Sequence, residues 1–270
     1  MFADNYPRLK QFSPIECCIY CGSTVDLTKE HVVPLGIAGH SMVLDRASCR
    51  ECARRTSQLE GSVLEGGLRI LRQKYNSPTR HRNRRNGLVR THLARSNEDG
   101  EWVHQENIVV GIDQIPAVCV LPELNAPRIF ASADAPPGWT GNFWFWQEEM
   151  APPTLNSSIA GRGGVHVAEV DPTLFARFLA KIAHGYAVAH LGIDGFRPYL
   201  PSIILRGTED PFKYVGGYSE PPPNPEALHQ VTQGYAEISG IRFVLIRIRL
   251  FALLGAPEYV VVAGDCDLPP

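Results

Sequence analysis

The chain has 270 residues, 44% of them hydrophobic and 20% charged, with a formal net charge of −2. That balance excludes a disordered chain and a polycation, so contact with nucleic acid would need a local basic patch. No run of 18 apolar residues exists, so no membrane span is expected. Residues 1–7 lack the basic-then-apolar order of a signal peptide. The expectation is a soluble cytoplasmic protein of one large or two modest domains.

Residues 1–15 read as a loose arm, and residues 16–66 hold the cysteine cluster. A helix is predicted over residues 57–75 from the spacing of Leu59, Val63, Leu64, Leu68 and Leu71. Gly61, Gly66 and Gly67 oppose it, at about 1 kcal/mol each against Ala. From Arg69 to Arg95 there are nine Lys or Arg, and no acid stands between Glu65 and Glu98. A domain boundary is placed near residue 96.

Short β-branched runs at 108–112, 117–121 and 164–167 read as strands, and the aromatic run 142–146 as a fourth. The clearest helix is 172–191, with Asp171 as N-cap, Pro172 at its first position and Gly192 past its end. It is apolar nearly all round, which predicts burial. Residues 219–225 form a loop. Two final strands, 241–250 and 259–263, are joined across Gly255-Ala256-Pro257. The result is an α+β class: a small module at 1–75, a basic connection at 76–96, and a mixed α+β domain at 97–270.

Seven cysteines are present, five of them between positions 17 and 52. The odd count argues against a disulfide framework. Cys18-x-x-Cys21 and Cys49-x-x-Cys52 are doubled knuckles. Two residues between thiolates let both sulfurs reach one ion, and two such turns complete a tetrahedron around structural Zn²⁺. Cys17 competes with Cys18, but Cys18 keeps the two-residue spacing. Cys119 and Cys266 read as buried or tail thiols.

Between the knuckles lies Thr28-Lys29-Glu30-His31-Val32-Val33-Pro34. A carboxylate can hold a hard cation such as Mg²⁺, and an unperturbed imidazole, titrating near pH 6.5, can take a proton from water. An isolated Glu-His pair is usually an ordinary surface pair. Inside a zinc frame, followed by Pro34 and the Gly36/Gly39 loop, it points to chemistry.

On these residues the segment 18–60 resembles an HNH endonuclease of the zinc-stapled ββα-metal type. The resemblance covers about 45 residues. It implies a hairpin carrying Glu30 and His31, then a helix starting near the second knuckle. It also implies His31 as general base, Glu30 as ligand of a catalytic Mg²⁺ or other divalent cation, and DNA as substrate. The chain departs from the family at Ala53, where an Asn or His usually ligates the metal, and at Leu44 and Asp45, where a loop-pinning Asn is usual. Ser57 and Glu60 share a helical face with Ala53, and Glu60 is the candidate substitute ligand. His40 in the Gly loop is a second candidate.

Arg54 and Arg55 on that helix, with Arg80, Arg82, Arg84 and Arg85 beyond it, form the expected nucleic-acid-binding surface. They would contact phosphates and read no base sequence. In the remainder of the chain, His184 and His190 read as packing histidines. Asp194, Glu209 and Asp210 read as unpartnered loop acids, and residues 265–267 as a tail. Trp139, Trp144 and Trp146 read as core packing. The reading is therefore a metal-dependent endonuclease. The rivals are a non-catalytic zinc-stapled nucleic-acid-binding protein, which Ala53 favours, and a purely structural module that docks a protein partner.

Overall fold

A computed structural model describes residues 10–38, 42–75, 77, 87–97, 99–131, 136–149, 163–165, 170–218 and 225–266. The fold is α+β. The chain begins with β1 (Lys10–Gln11), β2 (Leu27–His31), a short helix α1 (Leu35–Ala38), β3 (Met42–Cys49) and α2 (Arg50–Glu65). β2 and β3 pair antiparallel, and β1 joins the far edge of β3 in parallel. A register shift between Thr28 and Glu30 marks a bulge. A bulge re-aims the strand end, and here it lies just before the Glu-His pair.

α2 starts at the second knuckle, where Cys49 is its N-cap residue, seven residues earlier than the periodicity suggests. It stops at Glu65 and a separate short helix, α3 (Arg69–Lys74), follows. The one helix expected over 57–75 is therefore two. The break falls at Gly66-Gly67, where the backbone cost of glycine outweighs the apolar spacing.

Next come β4 (Leu88–Ser96), β5 (Trp102–Gly111), β6 (Val118–Leu124), β7 (Trp139–Gln147) and β8 (Gly163–Val165). β5, β4 and β8 form one sheet in that order, and β6 and β7 form a ribbon. Much of the expected basic connection is therefore strand. On β7, Trp139, Trp144 and Trp146 pack against the core as expected, while Phe145 is 56% exposed.

α4 (Pro172–Leu191) has the bounds predicted. Asp171 Oδ1 accepts from the backbone N–H of Thr173 at 2.7 Å and of Leu174 at 3.1 Å. The remaining elements are β9 (Arg197–Pro198), α5 (Pro201–Arg206), β10 (Val215–Tyr218), β11 (His229–Ile238), β12 (Ile241–Leu250) and β13 (Glu258–Cys266). The last three, with β10, make an antiparallel sheet ordered β10-β13-β12-β11, and β9 adds to β13. Val244, Ile246, Ile248 and Leu250 alternate along β12 and are fully buried, as strand period demands when a helix covers one face. α4 packs on β12 and β13. Phe175 meets Tyr259 edge-to-face, with ring centroids 5.3 Å apart. Each such fully buried ring contributes about 1.5–3 kcal/mol.

Three expectations change. The expected tail belongs to β13, where Asp265 is buried and bonded by Arg197 and Tyr199. Asp210 has partners as well: it pairs with Arg128 and accepts from the Phe212 N–H at 3.0 Å. The boundary placed near residue 96 does not divide the core. One contiguous apolar cluster runs from Cys18, Ile19 and Tyr20 through α2 and α4 to Cys266. A small satellite of Ile70, Val89, Val110 and Ile115 lies beneath β4 and β5. Among the described residues, no helix is long and apolar enough to cross a membrane.

Two tests follow from these elements. Asp171→Ala removes the α4 cap and is expected to cost about 1 kcal/mol in denaturant unfolding; an unchanged midpoint contradicts the cap. Burial drives the His229 imidazole down to about 3, and its Nδ1 accepts from the Phe251 N–H at 3.2 Å. The folded state therefore refuses a proton that the unfolded chain takes below about pH 6.5. Stability is full above that pH and falls below it, by at most about 1.4 kcal/mol per unit from this group. His229→Gln should flatten that slope in unfolding measured from pH 7 to 4; an identical slope contradicts it.

Candidate functional site

The first knuckle is a tight loop. The Cys18 N–H donates to the Ser23 carbonyl at 2.7 Å, and the Gly22 N–H donates to the Cys18 carbonyl at 2.8 Å. Gly22 sits at φ +75°, a left-handed conformation that glycine adopts without strain. The Ile19 N–H donates to the Ala47 carbonyl at 2.9 Å, docking the knuckle on β3. The second knuckle is the corner from β3 into α2, so Cys49 and Cys52 flank one helical turn.

These elements bring the sulfurs of Cys18, Cys21, Cys49 and Cys52 within 4.8 Å of one another. Cys21 Sγ and Cys49 Sγ lie 3.7 Å apart, close to the edge of about 3.8 Å of a tetrahedron with 2.3 Å Zn–S arms. Four thiol donors in that geometry fit Zn²⁺. Cys18 belongs to the cluster, and Cys17 does not. Burial pushes the Cys52 thiol well up, so a bound cation is what would hold all four as thiolates.

The Glu-His pair stands on β2, at its end. The strand alternates, and Glu30 is buried (4% exposed) while His31 is half-buried. Glu60, on the third turn of α2, faces the same interior. The two carboxylates do converge, but on an ammonium group. Lys181 Nζ, at the middle of α4 and fully buried, lies 2.8 Å from Glu30 Oε1 and 2.7 Å from Glu60 Oε1. It also donates to the carbonyl oxygens of His31 and, at 3.4 Å, of Val32. Glu30 and Glu60, the expected metal ligands, are thus held by a lysine.

The charges explain the arrangement. Burial works against a charged lysine, but Glu30 and Glu60 outweigh it and raise the Lys181 pKa. Burial lifts the Glu30 carboxyl above the usual range, against the pull of Lys181. Burial and the adjacent carboxylates keep the Tyr20 hydroxyl protonated. One helical turn on, His184 Nε2–H donates to the Ile19 carbonyl at 2.7 Å inside the first knuckle. Burial lowers its pKa to about 4, so it is neutral at pH 7. Its Nδ1 is buried without a hydrogen-bond partner among the described residues, so this is a packing histidine, as expected, but a half-satisfied one, and what it packs against is the cysteine module.

The part of the basic surface on α2 is weaker than the sequence suggests. Arg54 and Arg55 both bond Glu51, at 2.9 and 2.8 Å, across i,i+3 and i,i+4 spacings. They hold its carboxyl down to about 2. Two of the expected phosphate-binding cations thus carry a carboxylate between them. Arg50 is exposed beside them. Arg80, Arg82, Arg84 and Arg85 lie outside the described residues, as does His40. Ala53 is half-buried on α2 and offers no ligand atom.

Lys181 is the residue that sequence reasoning missed. The signal was its place in a helix apolar all round, because a buried cation must be paired. Removing one sulfur tests the metal cluster. Cys52→Ser is expected to abolish stoichiometric Zn²⁺ in the purified protein and lower Tm by roughly 5 °C or more. Full zinc content by atomic absorption would contradict the four-sulfur site. No protein-family model, curated protein or solved structure matches this chain.

Proposed function

We propose that the chain is a zinc-stapled nuclease of the HNH type that hydrolyses phosphodiester bonds of DNA. One observation carries the reading. A four-cysteine cluster ties together a strand ending in Glu30-His31, a returning strand and a helix, in that order. The zinc is structural: all four of its sites are taken by sulfur, leaving no open position for water or substrate. His31, half-buried at the strand end, is the general base that takes the proton from the attacking water. DNA contact falls to the exposed Arg50 and to the Arg80–Arg85 run, through phosphates.

The divalent cation that such chemistry uses does not fit while Lys181 fills the space between Glu30 and Glu60. Together with Ala53, that ammonium favours a second reading: a zinc-stapled protein that binds nucleic acid without cutting it.

One assay separates the two. Supercoiled plasmid is incubated with the purified full chain and Mg²⁺, Mn²⁺ or Ni²⁺, beside His31→Ala. The nuclease reading predicts nicking that needs added metal and falls by about 100-fold or more in the variant. No nicking with any of the three, or equal nicking by His31→Ala, sinks it. DNA retention on filters that weakens from 50 to 200 mM salt would then support the binding protein.

A further inference from the structure

Four oxygens surround one nitrogen at the junction of β2, α2 and α4. Two are carboxylate oxygens, of Glu30 and Glu60, and two are main-chain carbonyls, of His31 and Val32. An ammonium has three protons to donate, so four acceptors oversubscribe it, and the Val32 carbonyl is the one held off at 3.4 Å. The charge is also unbalanced: two carboxylates face a single positive charge. Hard oxygen donors, mixed carboxylate and carbonyl, are the set that holds calcium- and manganese-like ions. Glu60 keeps 19% of its side chain exposed, which opens a path from solvent, while Lys181 has none.

We propose that these four oxygens are a divalent-cation cage whose resident cation is Lys181, so that α4 carries a tethered competitor for the metal. The inference rests on the nuclease reading for its purpose, but not for its test. The lysine sits at the end of a flexible four-carbon stem on a rigid helix. When it is in place, it offsets one of the two carboxylate charges and closes the site to metal. With the ammonium removed, a dication would balance both carboxylates at once. The carboxylate oxygens stand 2.7–2.8 Å from the nitrogen and the Val32 carbonyl 3.4 Å. For Ca²⁺ at 2.3–2.6 Å the carboxylates must close in by a few tenths of an ångström and the Val32 carbonyl by about 1 Å, and for Mg²⁺ at 2.0–2.1 Å all of them by more. Larger ions are therefore preferred.

The test uses the full-length, zinc-loaded protein and Mn²⁺, whose binding is counted by electron paramagnetic resonance. Lys181→Met removes the ammonium and keeps the apolar stem. The variant is expected to bind one Mn²⁺ per chain at least about tenfold more tightly than wild type, with a Tm that rises on Mn²⁺ addition. Glu60→Gln added to Lys181→Met should abolish that gain. If Lys181→Met folds only when Mn²⁺ is present, the cage is supported equally. Three results overturn it: the variant binds no more Mn²⁺ than wild type, the gain survives Glu60→Gln, or the variant stays unfolded with Mn²⁺ present. Plasmid nicking is scored separately. Tight Mn²⁺ binding without nicking would leave the cage and remove the nuclease, whereas wild-type nicking without a gain in Lys181→Met would do the reverse.

Discussion

Two carboxyl groups brought together in an apolar interior stay ionised only with a cation between them. Glu30 comes from the hairpin and Glu60 from the following helix, both within the first 60 residues. Their cation, Lys181, comes from a helix more than a hundred residues later. Removing one partner from a buried ion pair leaves an uncompensated charge and costs about 3–5 kcal/mol, a large part of a typical domain's stability. The cysteine module therefore depends electrostatically on α4, and α4 depends on it for the four oxygens around Lys181. His184 adds a second tie, through the Ile19 carbonyl between the first two cysteines. Phe175, Phe178 and Leu179 continue the contact into the main core.

This dependence changes the meaning of the domain organisation. A zinc knuckle pair is usually self-sufficient because metal binding supplies its folding energy. Here the cluster holds the two knuckles and the hairpin together, while the carboxylates beneath need the rest of the chain. The same helix that stabilises the module also occupies the oxygen donors that cleavage chemistry would use. If the proposed cage holds a metal, stability and metal access compete at one nitrogen atom.

The local features of the chain were legible because they rest on short-range physics. Asp171, Pro172 and Gly192 bound α4 on both sides, and the two-residue cysteine spacing singled out Cys18 over Cys17. The break after Glu65 was missed, because the apolar period runs past Gly66 and Gly67 even though the glycines oppose a helix there. Strand β11 went unseen, since Gly234 and five polar residues interrupt its alternation. What sequence could not give were the long-range pairings. The pairing of Glu51 with Arg54 and Arg55 is the short-range exception, since helix spacing alone sets it three and four residues before them. Asp265 looked like a tail until Arg197 and Tyr199 were placed against it. Lys181 meets Glu30 across a separation that no spacing rule covers.

The account stands or falls on that buried ammonium, and a double-mutant cycle reads it directly. Unfolding free energies would be measured for wild type, Lys181→Met, Glu30→Gln and the double variant. Coupling of about 2–3 kcal/mol is predicted, the double variant being less destabilised than the sum of the singles. Strict additivity, within about 0.5 kcal/mol, would mean that Lys181 and Glu30 do not meet in the folded protein, and would contradict the account.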